Sequence, residues 1–181
     1  MKSYPGGLEG LIVVEPRVFR DDRGFFLEPY NALRYKAAGI DVDFVQDNHS
    51  VSTRGVLRGL HFQTKPGQAK LLRCTRGVIW DVAVDIRPDS KTFGKWWGLE
   101  LDAESHRQLF IPIGFAHGFC VVSDVAEVMY KCSSVYDAAF ESGIAWNDPD
   151  FAVAWPVPDP IISARDEGNQ SFAEFRAKLG A

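Results

Sequence analysis

The strongest limit on what this chain can fold into is a series of short runs in which apolar and polar residues alternate, most of them closed by Gly, Pro, Asp or Asn. The clearest is Val78-Ile79-Trp80-Asp81-Val82-Ala83-Val84-Asp85-Ile86. Val78, Trp80, Val82, Val84 and Ile86 share one face, and Ile79, Asp81, Ala83 and Asp85 share the other. This is the pattern of a strand whose second face carries polar groups. Similar runs fall at 11–18, 24–28, 44–51, 55–63, 69–75, 95–101, 108–111, 118–122 and 126–133. Strands this short and this evenly spaced predict an all-β sandwich or barrel, with 16 Gly and 10 Pro to make the turns. Two peripheral helices are expected. Asn31 can cap 32–38 with Gly39 as the stop, and Ser171-Phe172-Ala173-Glu174 is a capping box opening a terminal helix. No repeat, low-complexity tract or Pro/Ser-rich linker divides the chain, so residues 1–181 read as one domain.

Charge and composition remove several classes of function. Lys and Arg number 20 against 24 Asp and Glu, a formal charge of −4, which offers no basic footprint to a nucleic acid or an anionic membrane. The longest aliphatic stretch, 11–14, is far short of the ~20 residues that cross a bilayer. The first residues run into polar groups and Gly without the apolar core of a secretory leader, so a cytoplasmic protein is expected. Cys74, Cys120 and Cys132 are odd in number and widely spaced, which fits buried thiols better than disulfides or a Cys-x-x-Cys metal site.

Two segments concentrate the residues that carry chemistry. In Gly55-Val56-Leu57-Arg58-Gly59-Leu60-His61-Phe62-Gln63, alternation puts Gly59, His61 and Gln63 on one face and Leu60 and Phe62 on the other. If the polar face lines a cavity, His61 and Gln63 point into it and Gly59 leaves room for a ligand against the backbone. The ordinary fate of a lone His is a solvent-facing edge. The second segment, Pro112-Ile113-Gly114-Phe115-Ala116-His117-Gly118-Phe119, is a turn leading into a strand with His117 at its entrance. Together they resemble the paired motifs of the cupin double-stranded β-helix, with a departure. Gln63 stands where metal-binding cupins have a second His, and Gln68 and Lys70 stand where an acidic ligand is expected. An ammonium repels a divalent cation, so no metal is predicted. Lys70 beside a neutral His suits instead the stabilisation of an oxyanion while the His takes a proton. Tyr130 is either a core aromatic with a wet tip or an acid facing His61 across the cavity. Asp166 is either an exposed turn carboxylate or the partner that raises the basicity of an imidazole.

Further motifs extend the pattern: Phe19-Arg20-Asp21-Asp22-Arg23-Gly24-Phe25-Phe26, Gln46-Asp47-Asn48-His49-Ser50, Tyr130-Lys131, Trp146-Asn147-Asp148-Pro149-Asp150, Trp155-Pro156 and Ser163-Ala164-Arg165-Asp166. With them the chain resembles the dTDP-4-dehydrorhamnose 3,5-epimerase family, in the family's order from about residue 11 to 166. The resemblance implies an all-β, cupin-type jelly roll with a few short helices. It implies a cofactor-free isomerase that inverts C3 and C5 of a dTDP-linked 4-keto-6-deoxyhexose, in deoxysugar (L-rhamnose) biosynthesis. Carried over by motif, His61 is the base, Asp166 its partner, Lys70 the stabiliser of the enolate and Tyr130 the acid. Arg23, Phe26, Glu28, Gln46, Asn48, Arg58, Gln63, His117, Tyr136, Glu141 and Arg165 hold the nucleotide and sugar. Family members are dimers whose N-terminal strands cross to the partner, so Arg23 and Glu28 are candidates for the neighbouring subunit's site, and exposed Phe19, Phe25 and Phe26 suit an interface.

The departures from the family pattern are mild. Phe62 holds a position often occupied by Tyr, Arg165 one where Lys is usual, and Cys132-Ser133-Ser134 replaces a Thr-rich stretch. Three alternatives stay open: an epimerase that inverts one centre, or acts on another nucleotide sugar, a metal-dependent cupin, and a catalytically silent sugar-binding cupin.

Overall fold

The structure, a computed structural model, describes residues 1–179. Its strands in chain order are β1 (Lys2–Pro5), β2 (Ile12–Glu15), β3 (Val18–Asp21), β4 (Gly24–Leu27), β5 (Gln46–Thr53), β6 (Leu57–Gln63), β7 (Lys70–Arg76), β8 (Val78–Asp85), β9 (Trp96–Asp102), β10 (Gln108–Ile111), β11 (Phe115–Val121), β12 (Val125–Cys132) and β13 (Glu141–Gly143). The helices are α1 (Ala32–Ala37), α2 (Ala164–Glu167) and α3 (Phe172–Leu179). A six-stranded sheet in the order β1-β2-β10-β7-β12-β5 faces a five-stranded sheet in the order β13-β6-β11-β8-β9, and β3 and β4 form a separate hairpin. Neighbouring strands in both sheets are antiparallel, a sandwich of the kind the alternating runs predict and of the jelly-roll type the family resemblance implies.

Alternation explains what each face meets. Ile79 and Ala83 of β8 point between the sheets, with Leu72 and Cys74 of β7, Leu109 and Ile111 of β10, Phe115 and Phe119 of β11 and Val128 of β12. The opposite face of β8, with Val82 and Val84, joins Leu60 and Phe62 of β6 in a cluster closed by Phe151, Phe172 and Phe175. A third cluster, Val14, Leu71 and Phe110 under Tyr35 and Ile40, attaches α1 to the back of the six-stranded sheet. Burying each such side chain stabilises the fold by about 1.5–3 kcal/mol. Leu72 has no exposed surface, so Leu72→Ala is expected to cost about 2–5 kcal/mol, read as a lower denaturation midpoint with an unchanged slope.

The helix caps form as expected. Asn31 accepts from the Arg34 N–H, and Ser171 and Glu174 exchange backbone-to-side-chain bonds. Several local expectations need correction. The run 11–18 is two strands broken at Pro16 and Arg17, because Pro cannot donate to a ladder. The strand expected at 118–122 begins at Phe115, which puts His117 inside it rather than at its entrance. The short elements β1, β13 and α2 have no strong periodic signal and are set by their tertiary neighbours. Gly59 does not leave space for a ligand. A Cβ there would lie 2.5 Å from Gly118 Cα, so the two glycines let β6 and β11 press together at a register shift next to the His61–His117 pair.

Candidate active site

At one end of the sandwich the inward residues are polar rather than aliphatic, and the sheets enclose a cavity of about 580 Å³. The five-stranded sheet contributes Arg58 and His61 from β6 and His117 from β11, with the two histidines directly opposite in register. The facing sheet contributes Gln46, Asn48 and Ser50 from β5, Lys70 from β7 and Tyr130 from β12. Both imidazoles therefore sit on one wall, with the ammonium and the phenol on the other. Lys70 Nζ lies 5.9 Å from the centroid of the Tyr130 ring.

His61 Nε2 is 2.5 Å from Asp166 Oδ1, a contact between residues 105 positions apart. Asp166 sits on α2, whose N-cap Ser163 accepts from the Asp166 N–H. Its carboxyl is 4% exposed, which overturns the solvent-facing turn as its fate. Burial pushes this carboxyl up, but the hydrogen bond and charge of His61, with bonds from the Gly59 backbone and Ser163, outweigh burial and hold it below the usual carboxylate range. The carboxylate occupies Nε2, which leaves Nδ1 as the nitrogen free to exchange a proton. Burial draws Lys70 below the usual lysine range, against the charges of Cys132, Asp81 and Glu141. It raises Tyr130, so the phenol keeps its proton at neutral pH. It lowers His117 against the opposing pull of Asp81.

The rim is tied together by polar bonds. Tyr136 donates its hydroxyl to Glu141 Oε2 at 2.7 Å, and Arg165 donates to Glu141 Oε1 at 2.7 Å. The backbone N–H of Tyr136 donates to Gln46 Oε1 at 2.8 Å, and Gln46 Nε2 donates to Asn48 Oδ1 at 2.9 Å. Arg58 donates to Ser52 Oγ at 3.1 Å. Gln63 lines a small extension of the cavity beside Gln68, whose amide donates to the Ser134 carbonyl.

Three residues singled out from sequence lie outside this cavity in the chain. Arg23 extends into solvent on the β3–β4 hairpin and pairs with Asp21. Phe26 is 69% exposed on the same hairpin, and Glu28 pairs with Arg34 beside α1. Asp81, by contrast, has no assigned role in the sequence reading, yet Oδ2 lies 2.8 Å from His117 Nε2. Its signal was the polar inward face of the alternating run at 78–86.

Fold and cavity define a cupin-type jelly roll whose interior presents a His–carboxylate pair, a lysine and a tyrosine. Comparison with known proteins gives the family. A family model described as dTDP-4-dehydrorhamnose 3,5-epimerase matches residues 6–174. The chain is 53% identical over 166 residues to a dTDP-4-dehydrorhamnose 3,5-epimerase of Shigella flexneri, covering 91% of this chain and 92% of that protein. It is 43% identical over 178 residues to a dTDP-4-dehydrorhamnose 3-epimerase of Streptomyces niveus, covering 97% and 86%. Among solved structures, a dTDP-6-deoxy-D-glucose-3,5-epimerase from Legionella pneumophila in complex with dTDP-4-keto-L-rhamnose superposes with a TM-score of 0.94 at 42% identity, covering 98% and 96%. The chain belongs to the dTDP-4-dehydrorhamnose 3,5-epimerase family.

Proposed function

We propose that the protein epimerises dTDP-4-dehydro-6-deoxy-D-glucose at C3 and C5, giving dTDP-4-dehydro-L-rhamnose for deoxysugar biosynthesis. One observation carries the roles of the residues: His61 with its carboxylate partner stands on one wall of the cavity, and Tyr130 and Lys70 stand on the other. A C–H beside a ketone is acidic because its electrons can move onto the carbonyl oxygen. His61 takes the proton through Nδ1, and Asp166 stabilises the imidazolium that forms. The C4 oxygen becomes an enolate oxyanion, held by the Lys70 ammonium. Tyr130 returns a proton to the opposite face of the same carbon, which inverts it. Proton exchange with solvent resets His61 and Tyr130, and the cycle repeats at the second carbon with no net gain or loss of electrons or protons. No cofactor is needed.

Arg58, Arg165 and His117, with Gln46 and Asn48, hold the diphosphate end in this reading; guanidinium groups suit phosphate oxygens. Gln63, Tyr136 and Glu141 complete the pocket for sugar and base. The reading includes a homodimer in which Arg23, Phe26 and Glu28 serve the cavity of the other subunit. It is supported by their distance from the chain's own cavity and by the exposure of Phe19, Phe25 and Phe26. It treats residues 1–181 as one domain. No helix among the described residues is long and apolar enough to cross a membrane, and a cytoplasmic setting is supported by three free, buried cysteines.

The second reading, inversion of one centre, is favoured by the Streptomyces niveus relative named as a 3-epimerase. Turnover of dTDP-4-keto-6-deoxyglucose in deuterated water, followed by NMR of the sugar, separates the two. Deuterium at both C3 and C5 with both configurations inverted is expected. Label confined to C3 assigns the single-centre reaction, and no label at either carbon removes the epimerase reading.

A further inference from the structure

The hairpin of β3 and β4 forms a two-stranded sheet of its own. Its register sorts its side chains onto two faces. On one, Arg20 stands opposite Phe25, with the guanidinium carbon 5.7 Å from the ring centroid. On the other, Phe19 stands opposite Phe26, with ring centroids 6.4 Å apart. The Phe25 face meets the body of the chain at His106, in the turn between β9 and β10, where the two ring centroids lie 4.6 Å apart. Among the described residues this is the one aromatic pair that joins the hairpin to the rest of the chain. A space of about 290 Å³ opens beside it, between residues 25–27 and Arg73 and Thr75 of β7.

The turn holds that imidazole in place. Asp102 accepts from the Glu104 N–H at 2.8 Å, the Ser105 N–H at 2.7 Å and the Ser105 hydroxyl at 2.7 Å. His106 itself lies in the left-handed region, with φ 55°. A glycine takes that conformation at no steric cost, so what a histidine adds at this position is its side chain. The residue is 8% exposed, and its Nε2 is buried with no hydrogen bond among the described residues. The ring therefore serves as a packing surface rather than as a hydrogen-bonding group. Burial, with the charges of Arg20 and Arg73, draws the imidazole below the usual histidine range, against Glu104 and Asp102. A neutral ring suits an aromatic contact.

We infer that His106 is a positioning residue whose effect falls on the other subunit's cavity: by seating Phe25 it fixes the hairpin on the body, so that Phe26 and Arg23 are presented in a set orientation to the neighbour's nucleotide. The inference rests on the reading of a homodimer in which the hairpin serves the other subunit. Phe25 and Phe26 are adjacent on β4, so alternation sends one ring to the anchor and the other to the opposite face. Arg23 is in the turn between the two strands. A hairpin already fixed loses little freedom when nucleotide binds, whereas a loose one must be ordered at that moment. Neither Phe26 nor Arg23 moves a proton in the proposed reaction. Loosening the anchor therefore costs binding rather than chemistry, and KM rises while kcat holds.

The test is His106→Asn, because Asn also tolerates the left-handed backbone but offers no ring. KM and the Kd of dTDP are expected to rise about tenfold, the scale of losing one well-packed aromatic contact, with kcat close to wild type. A mixed dimer of one His106→Asn chain and one His61→Asn chain, isolated with two affinity tags, then locates the effect. Its one cavity with a base belongs to the His106→Asn chain and receives the hairpin of the His61→Asn chain, whose anchor is intact. Wild-type KM is expected there, with turnover from one cavity of the two. A KM that stays raised in the mixed dimer, or an unchanged KM in the His106→Asn homodimer, overturns the inference. If His106→Asn fails to fold, Phe25→Ala on the exposed hairpin is expected to give the same rise, and Phe25→Tyr, which keeps the ring, a wild-type KM. No rise in Phe25→Ala overturns the inference. Wild-type protein that elutes as a monomer removes the homodimer reading and the inference with it. Failure of the epimerase reading shows separately, as wild-type protein that binds dTDP but exchanges no sugar proton, and dTDP affinity alone then reads the anchor.

Discussion

Replacing His61 with Asn or Ala is expected to abolish solvent exchange at both C3 and C5 while dTDP binds within a few fold of wild type. A positioned base contributes about 10²–10⁴ to rate, and this one holds the only histidine nitrogen on the cavity wall backed by Asp166. Nothing else among the described cavity residues combines an imidazole with a buried carboxylate partner except His117, whose Nε2 is taken by Asp81 and which the proposal assigns to binding. The measurement is the rate of deuterium entry at each carbon, taken alongside dTDP affinity by calorimetry. Exchange at wild-type rate in His61→Asn would move the base to His117. Loss at one carbon alone would mean that two bases share the work.

Tyr130→Phe is expected to separate exchange from inversion. The substitution keeps the ring beside Lys70 and removes only the hydroxyl, so packing in the half-buried site is preserved. His61 and Lys70 still form the enolate, but the carbon is reprotonated from the His61 side. Deuterium then enters with the original configuration retained, and inversion falls by about 10²-fold or more while exchange falls less. The phenol is suited to the role because burial raises it above the usual tyrosine range, which keeps the proton available until the enolate demands it. Inversion of both centres at near wild-type rate would return Tyr130 to the packing and make water the acid.

The parts of the fold that were legible from sequence are those in which side-chain periodicity and secondary structure act over a few residues. The run at 78–86 is β8 almost to the residue, and the alternation through 55–63 correctly sends His61 and Gln63 inward and Leu60 and Phe62 to the outer cluster. Asn31 and Ser171 cap helices because their oxygens reach N–H groups three residues away. Elements without such a local signal were missed. The β13 strand exists because Glu141 to Gly143 find the edge of β6, and α2 is one turn that Ser163 starts and tertiary contacts hold.

The site divides along the same line. Sequence alone determined which residue types stand where: a His facing inward, a Lys in place of an acidic metal ligand, a Tyr on an alternating strand, and motifs in the order of one family. Only the tertiary structure decided what each of them touches. It set Asp166 against His61 across 105 positions of chain and buried it. It drew Gly59 and Gly118 together so that the two histidines face the cavity side by side. It also buried Asp81, one polar residue in a strand pattern, against His117. The physical reason is that periodicity selects a face, whereas burial and pairing depend on which distant strand covers that face, and a charge acquires its chemistry from what surrounds it.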